Sequence, residues 1–348
     1  MSGNPPEGMQ EGGDRLGAMS GSAASLPPER VTLAIEGWNA RDLNSRAVFE
    51  RSLNSLLSQT YPIRRCEVMV IVDVSLPEVD AEWIQQAIPE ARLVRLAAST
   101  YYRVKNLAIT SAPGDVLVFA DSDVRYAPGW LEALLRCVEA GSPLVVGNTL
   151  YEPGPFSRTL NLCDWAGSRI GSGPTEWMYT NNLAMRRELF EGIQFREDMG
   201  KGGEGGPNVV RQLLQERGIL PWFCEAARGW HFMAPFWLKR LRLGAYLIAT
   251  RRMAPELRWS WLARVPLLGP FLVAGGSLLN AYRRAWRLRS TLPGRGWSLP
   301  VYSLSIAMVK CAELLGALLF VYAPGWTNRR FGWFNIPEAP PRTLATPL

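Results

Sequence analysis

From Val31 to Val146 the chain repeats one rhythm: a short, mainly apolar run, then a stretch whose apolar positions recur at helical spacing. The runs at 31–35, 68–72, 91–96, 116–120 and 144–146 are too short to be buried helices and are rich in β-branched residues. Between them, 43–58 (with Val48, Leu53, Leu56 and Leu57 as its apolar positions), 104–111 and 130–138 read as amphipathic helices. Strands alternating with helices predict an α/β domain, a mostly parallel sheet with helices on both faces. Such sheets collect ligands at the carboxyl ends of their strands. Asp73 and the Asp121-Ser122-Asp123 triplet fall at such ends.

The flanks differ in kind. Residues 1–30 are Gly-, Pro- and Ser-rich with almost no large apolar side chain, which predicts disorder. They lack the basic start and apolar core of a secretory signal. Residues 151–175 read as irregular and 177–186 as extended. The Gly-rich 200–206 reads as a flexible loop leading into a helix at 209–217 that Gly218 stops, and 336–348 as a flexible tail. Five cysteines without a C-x-x-C pair argue against a structural zinc site and a disulfide framework. His231 is the only histidine, so any multi-histidine metal site or catalytic triad would have to share it.

The chemistry starts with VLVFADSDV. A buried strand ending in two carboxylates one residue apart places both near a point just beyond the sheet. A divalent cation there neutralises charge on a departing diphosphate. The surrounding blocks resemble the family 2 glycosyltransferases over residues 31–232. They are Trp38-Asn39 with SLNSLLSQTYP, EVMVIVDVS, YRVKNLAITSAPGDVLVFADSDV, TNNLAMRRELF, and GGEGG…RQLLQERG…WH, in that order.

The resemblance implies a GT-A fold, a nucleotide-sugar donor and Mg²⁺ or Mn²⁺. It sets Glu36 and Asn39 beside the nucleoside, Asp73 on the base or ribose, and Lys105 near the donor. Asp121 contacts ribose or sugar and joins the metal set, Asp123 coordinates the cation, and His231 completes its shell. Asn181 and Asn182 belong to the acceptor side. On their own, Glu36 and Asn39 also fit as caps, Lys105 as a surface charge on its helix, and His231 as a packed aromatic between Trp230 and Phe232. Where the family carries Glu-Asp at the head of its closing helix, this chain has Glu204-Gly205. The base then falls to Glu204, or to Asp198 or Glu197 just before it; a catalytically silent sugar-nucleotide-binding protein is the alternative. The Gln-x-x-Arg-Trp motif of processive synthases is missing, which favours addition of one sugar to a lipid-linked or glycan acceptor.

The remainder, 233–335, reads as a helical, membrane-associated region. From His231 to Arg330 there are fifteen Lys/Arg and two Asp/Glu, a local +13 in a chain of net +7. Residues 265–282 are uncharged, at the lower edge for a bilayer span of about 20 residues. The run 298–323 is apolar but carries Lys310 and Glu313. A spanning hairpin would strand Arg283, Arg284, Arg287, Arg289 and Arg295 opposite the catalytic domain, against the positive-inside tendency. Basic flanks with Trp259, Trp261, Trp286 and Trp297 instead suit helices lying in the cytoplasmic leaflet, with 239–330 as the membrane surface and no nucleic-acid partner. Pro266, Pro270 and Gly275-Gly276 predict a kinked first segment. A helical subdomain packed on the core is the competing arrangement.

Overall fold

The computed structural model describes residues 30–37, 46–97, 100–154, 156–164, 171–175, 178–197, 205–232, 236–254, 257, 259–289 and 298–331. Nine strands form one sheet among them: β1 (Val31–Glu36), β2 (Glu67–Asp73), β3 (Arg92–Leu96), β4 (Val116–Asp121), β5 (Val124–Tyr126), β6 (Leu144–Tyr151), β7 (Gly173–Pro174), β8 (Asn182–Arg186) and β9 (Trp222–His231). Their spatial order is β3-β2-β1-β4-β8-β6-β9-β5, with β7 on β9. The β3-β2-β1-β4 half is parallel, β8 runs antiparallel to both its neighbours, and β9 is parallel to β6 and antiparallel to β5.

Period-two alternation explains why the parallel strands read as continuous apolar runs. Leu33, Ile35, Val68, Val70, Val72, Val116 and Val118 face one core, shared with α1 (Arg46–Leu57), α2 (Glu78–Ala87) and α4 (Trp130–Glu139). The intervening Ala34, Met69, Ile71, Leu117 and Phe119 face a second core, against α3 (Tyr101–Ser111) and α6 (Gly205–Glu216). Helix α3 starts where the Thr100 hydroxyl accepts from Arg103 N, and α6 gives way to Gly218 at φ +76°.

Three expectations need correction, and one strand was not foreseen. Helix α1 buries Phe49, Leu53 and Leu56 with Ser52 and Ser55, and leaves Leu57 exposed. The stretch read as irregular after Tyr151 contains α5 (Ser157–Asp164). The segment 222–231 is a ten-residue strand, β9. The prolines and paired glycines do not break α8 (Gly269–Arg287): Pro266 precedes it, Pro270 occupies its first turn where no N–H is needed, and the helix runs on through Gly275-Gly276.

The sheet must curl. Strands β4 and β5 lie two residues apart in sequence but four strand spacings apart in the sheet. Laid flat, that separation is about 19 Å. The link from Asp121 to Val124 reaches no more than about 11 Å. The far edge therefore folds back over the first core, which Val124 and Tyr126 join.

Beyond β9 come α7 (Phe236–Met253), α8, α9 (Ser298–Tyr322) and α10 (Pro324–Phe331). Helices α7 and α9 cross at two glycines. A Cβ on Gly244 would sit 1.7 Å from Glu313 O, and one on Gly316 1.9 Å from Leu241 O. The 300–322 stretch of α9 is long and apolar enough to cross a membrane. Large apolar side chains are exposed across this region, among them Trp237, Trp259, Trp261, Leu267, Phe271 and Trp286.

Candidate active site

The carboxyl ends of β2, β1 and β4 present a row of acids. Glu36 pairs in register with Asp121 on one side and Ile71 on the other, two residues before Asp73. All three carboxyl-bearing residues are buried. Asp73 Oδ1 accepts from Ser75 N at 2.9 Å, an Asx turn that closes the strand end.

Asp121 is clamped from every side. Lys105 Nζ donates to its Oδ1 at 2.5 Å and to Thr180 O at 3.1 Å, and Tyr101 OH donates to its Oδ2 at 2.9 Å. Its backbone N–H donates to Tyr126 OH, and its carbonyl accepts from Ser52 Oγ. Burial, then the Asp121 and Glu36 carboxylates, raise the Tyr101 hydroxyl well above its ordinary range, so it remains a donor. Lys105 is fully buried, over the rings of Phe119 and Tyr101. It is not a surface charge. Tyr101 and Lys105 stand one turn apart on α3, on one face. That spacing was present in the sequence, but only the register of β4 shows what the pair grips.

Asp123 lies one turn of backbone further on, with a different outlook. Its side chain is 17% exposed, and Oδ2 stands 3.6 Å from His231 Nε2, whose side chain is 11% exposed. Phe232 N donates to Asp123 O, which ties the end of β9 to the turn. His231 Nδ1 is 2.6 Å from Phe232 O. A carbonyl only accepts, so Nδ1 carries a proton and Nε2 is the ring nitrogen that faces Asp123. Ser122 Oγ, between the two aspartates, is buried without a hydrogen-bond partner among the described residues.

One carboxylate oxygen and one imidazole nitrogen facing each other across 3.6 Å, at the mouth of the sheet, suit Mg²⁺ or Mn²⁺ that takes its other ligands from phosphate and water. The expected trio does not assemble: no group of three His, Cys, Asp or Glu is placed to hold a metal among the described residues. Asp121 is turned inward to Lys105, which leaves Asp123 and His231 as the members of that trio that face each other. The two asparagines expected on the acceptor side are both buried within the sheet. Asn182 is wholly buried, accepting from Trp130 Nε1 and donating to Ala227 O, and Asn181 is buried with Oδ1 3.3 Å from the Thr149 hydroxyl. Both brace the sheet. Asn39, Asp198 and Glu204 lie outside the described residues, as do 1–29 and 332–348. Glu197 accepts from Asn106 Nδ2 at 3.2 Å.

The glycosyl transferase family 2 model matches residues 43–202. Two curated mouse proteins share segments: polypeptide N-acetylgalactosaminyltransferase 15, 26% identical over 136 residues (36% of this chain), and polypeptide N-acetylgalactosaminyltransferase 5, 34% over 92 residues (25% of this chain). The chain spans only 20% and 10% of their lengths. Among solved structures, a mannosyltransferase from Pyrobaculum calidifontis in complex with GDP-Man and Mn²⁺ superposes with a TM-score of 0.54 at 16% identity, covering 85% of this chain and 88% of that one, a likeness of fold. The match over residues 43–202, set beside the curled α/β sheet with its row of carboxylates, supports a domain similar to the family 2 glycosyltransferases on a GT-A-like fold.

Proposed function

We propose that the chain transfers a single sugar from a nucleotide-diphospho-sugar to a lipid-linked or glycan acceptor, with inversion and metal assistance, at the cytoplasmic face of a membrane during cell-surface glycan or polysaccharide synthesis. One observation carries the reading: the Asp123–His231 pair opens at the strand ends beside an acid already fixed by Lys105. Glu36 and Asp73 take the nucleoside end of the donor, with Asn39. Asp121, oriented by Lys105 and Tyr101, accepts hydroxyl protons of ribose or sugar. Asp123 and His231 hold Mg²⁺ or Mn²⁺, which when bound neutralises charge on the departing diphosphate. Glu204 takes the proton of the acceptor hydroxyl from the face opposite the leaving group, with Asp198 as its rival. Glu197 is tethered to α3 and stands back from that role.

The domain limits follow the same reading: 31–232 as the transferase and 233–335 as the membrane-associated region. The exposed tryptophans and leucines around α7, α8 and α9 support the second part, since a soluble surface seldom gathers so many.

Asp123→Ala is expected to abolish the Mn²⁺-dependent part of UDP or GDP binding in a thermal-shift titration; full retention of that dependence would exclude the metal assignment. Glu204→Gln is expected to lower turnover by about 100-fold with donor affinity kept. Wild-type protein that binds donor and Mn²⁺ yet never hydrolyses or transfers it would instead favour a silent binding protein.

A further inference from the structure

Four buried charges lie between α5, α7 and α9. Arg240 on α7 grips Asp164 on α5 with both ends of its guanidinium, at 2.6 and 2.9 Å, and donates to Glu313 on α9 at 3.2 Å. Lys310, one turn back on α9, donates to the other Glu313 oxygen at 2.9 Å. Arg240 is 1% exposed. The sum of charge is zero, but taking four ions out of water gains little stability by itself, so the arrangement calls for another account.

At its centre stands the Tyr151 hydroxyl. It donates to Asp164 Oδ2 at 2.6 Å and accepts from Arg240 Nη2 at 3.0 Å. Tyr151 ends β6, and its partner in the sheet register is His231. The two rings meet edge to face, centroids 6.0 Å apart. Lys239 lies over the Tyr151 ring at 4.8 Å. The imidazole is thus fixed on one side by the Phe232 carbonyl and on another by a tyrosine that cannot withdraw while its hydroxyl is held.

We propose that Tyr151 is a positioning residue for His231, and that Asp164 and Arg240, by holding Tyr151, make the helical region part of the metal site. The inference rests on Asp123 and His231 being the metal pair. Helices α7 and α9 then do more than anchor: they supply the outer support that orients a metal-binding imidazole. Loss of such support commonly costs about 10–100-fold in metal affinity.

The single histidine makes the test direct, because every imidazole signal in an NMR spectrum of the full chain belongs to His231. Tyr151→Leu and Asp164→Asn are each expected to shift those signals and to weaken Mn²⁺-dependent UDP or GDP binding by about 10–100-fold, with metal-free nucleotide binding unchanged. Tyr151→Phe, which keeps the ring and loses the anchor, falls between wild type and Tyr151→Leu. Folded Tyr151→Leu and Asp164→Asn proteins with wild-type His231 signals and wild-type Mn²⁺-dependent binding overturn the proposal. Should Tyr151→Leu not fold, Asp164→Asn keeps side-chain volume, leaves Arg240 paired with Glu313, and carries both readouts alone. His231→Ala separates the two layers. If it loses Mn²⁺ dependence while the Tyr151 and Asp164 variants do not, the positioning role fails and the metal pair stands. If His231→Ala keeps Mn²⁺-dependent binding, the metal reading fails and the inference with it.

Discussion

The sheet domain and the helical region bury opposite things. Around β1, β2 and β4 the interior is apolar on both faces, and the charges sit at the strand ends, where Lys105 and Asp121 lock together and Asp123 looks outward. Among α5, α7 and α9 the charges are inside, while Trp259, Trp261, Trp286 and Leu267 are more than half exposed. The first pattern is that of a protein folded in water with a polar site at its rim. The second is suited to helices whose outer surround is itself apolar. The two regions meet at Tyr151, the end of a sheet strand held by a helix arginine.

The largest effect on this contrast is expected from Lys105→Ala. Removing one member of a fully buried ion pair leaves Asp121 charged and uncompensated, a loss of about 3–5 kcal/mol. Chemical denaturation would measure it, and a change below about 1 kcal/mol would show that Asp121 reaches water. Gly316→Leu comes next. Its side chain enters the α7 backbone, and overpacking of this kind costs about 1–3 kcal/mol; a variant as stable as wild type would mean that α7 and α9 do not cross at their glycines.

The Asp164 carboxyl gives a graded test. Burial alone would raise its pKa, but the Arg240 guanidinium, through charge and hydrogen bonds, and Lys310 hold it well below the ordinary carboxylate range. A depressed native pKa contributes stability that is complete above the unfolded value of about 3.9 and is lost as pH falls through the native one. Wild type should therefore lose stability below about pH 4 more steeply than Asp164→Asn, and parallel acid limbs would refute the link. Smallest in stability is the Trp259→Ser, Trp261→Ser double variant, within about 0.5 kcal/mol of wild type as exposed changes usually are. Its effect should appear instead as weaker binding to anionic vesicles in a flotation assay.

Local sequence carried the parallel half of the fold, because residues 68–72 of β2 and 116–120 of β4 are buried on both faces and are apolar at every position. Strand β9 escaped notice for the converse reason. Its WFCEAARGWH includes charged and small residues, and a register shift opposite Gly147 and Asn148 breaks any alternation. Asp121, Asp123 and His231 stood out by residue type and motif. Their division of labour did not, since which carboxylate turns inward depends on Lys105 and Tyr101 arriving from α3. The tail ion network was equally hidden: Lys310 and Glu313 look like blemishes in an apolar run until Arg240 and Asp164 are placed beside them.

The two-residue step from β4 to β5 makes Asp123 the clasp of an almost closed hoop. The hoop runs from β4 through β8, β6 and β9 to β5, where Val124 pairs with His231, and the parallel strands β1, β2 and β3 extend outside it. Any widening of the hoop separates β4 from β9, and so Asp123 from the imidazole it faces. A ligand that grips both therefore fastens the whole circumference, not one corner. Amide exchange in β5 and β9 should slow when such a ligand binds, as far along β9 as Trp222, while β3 at the opposite edge of the sheet stays unchanged.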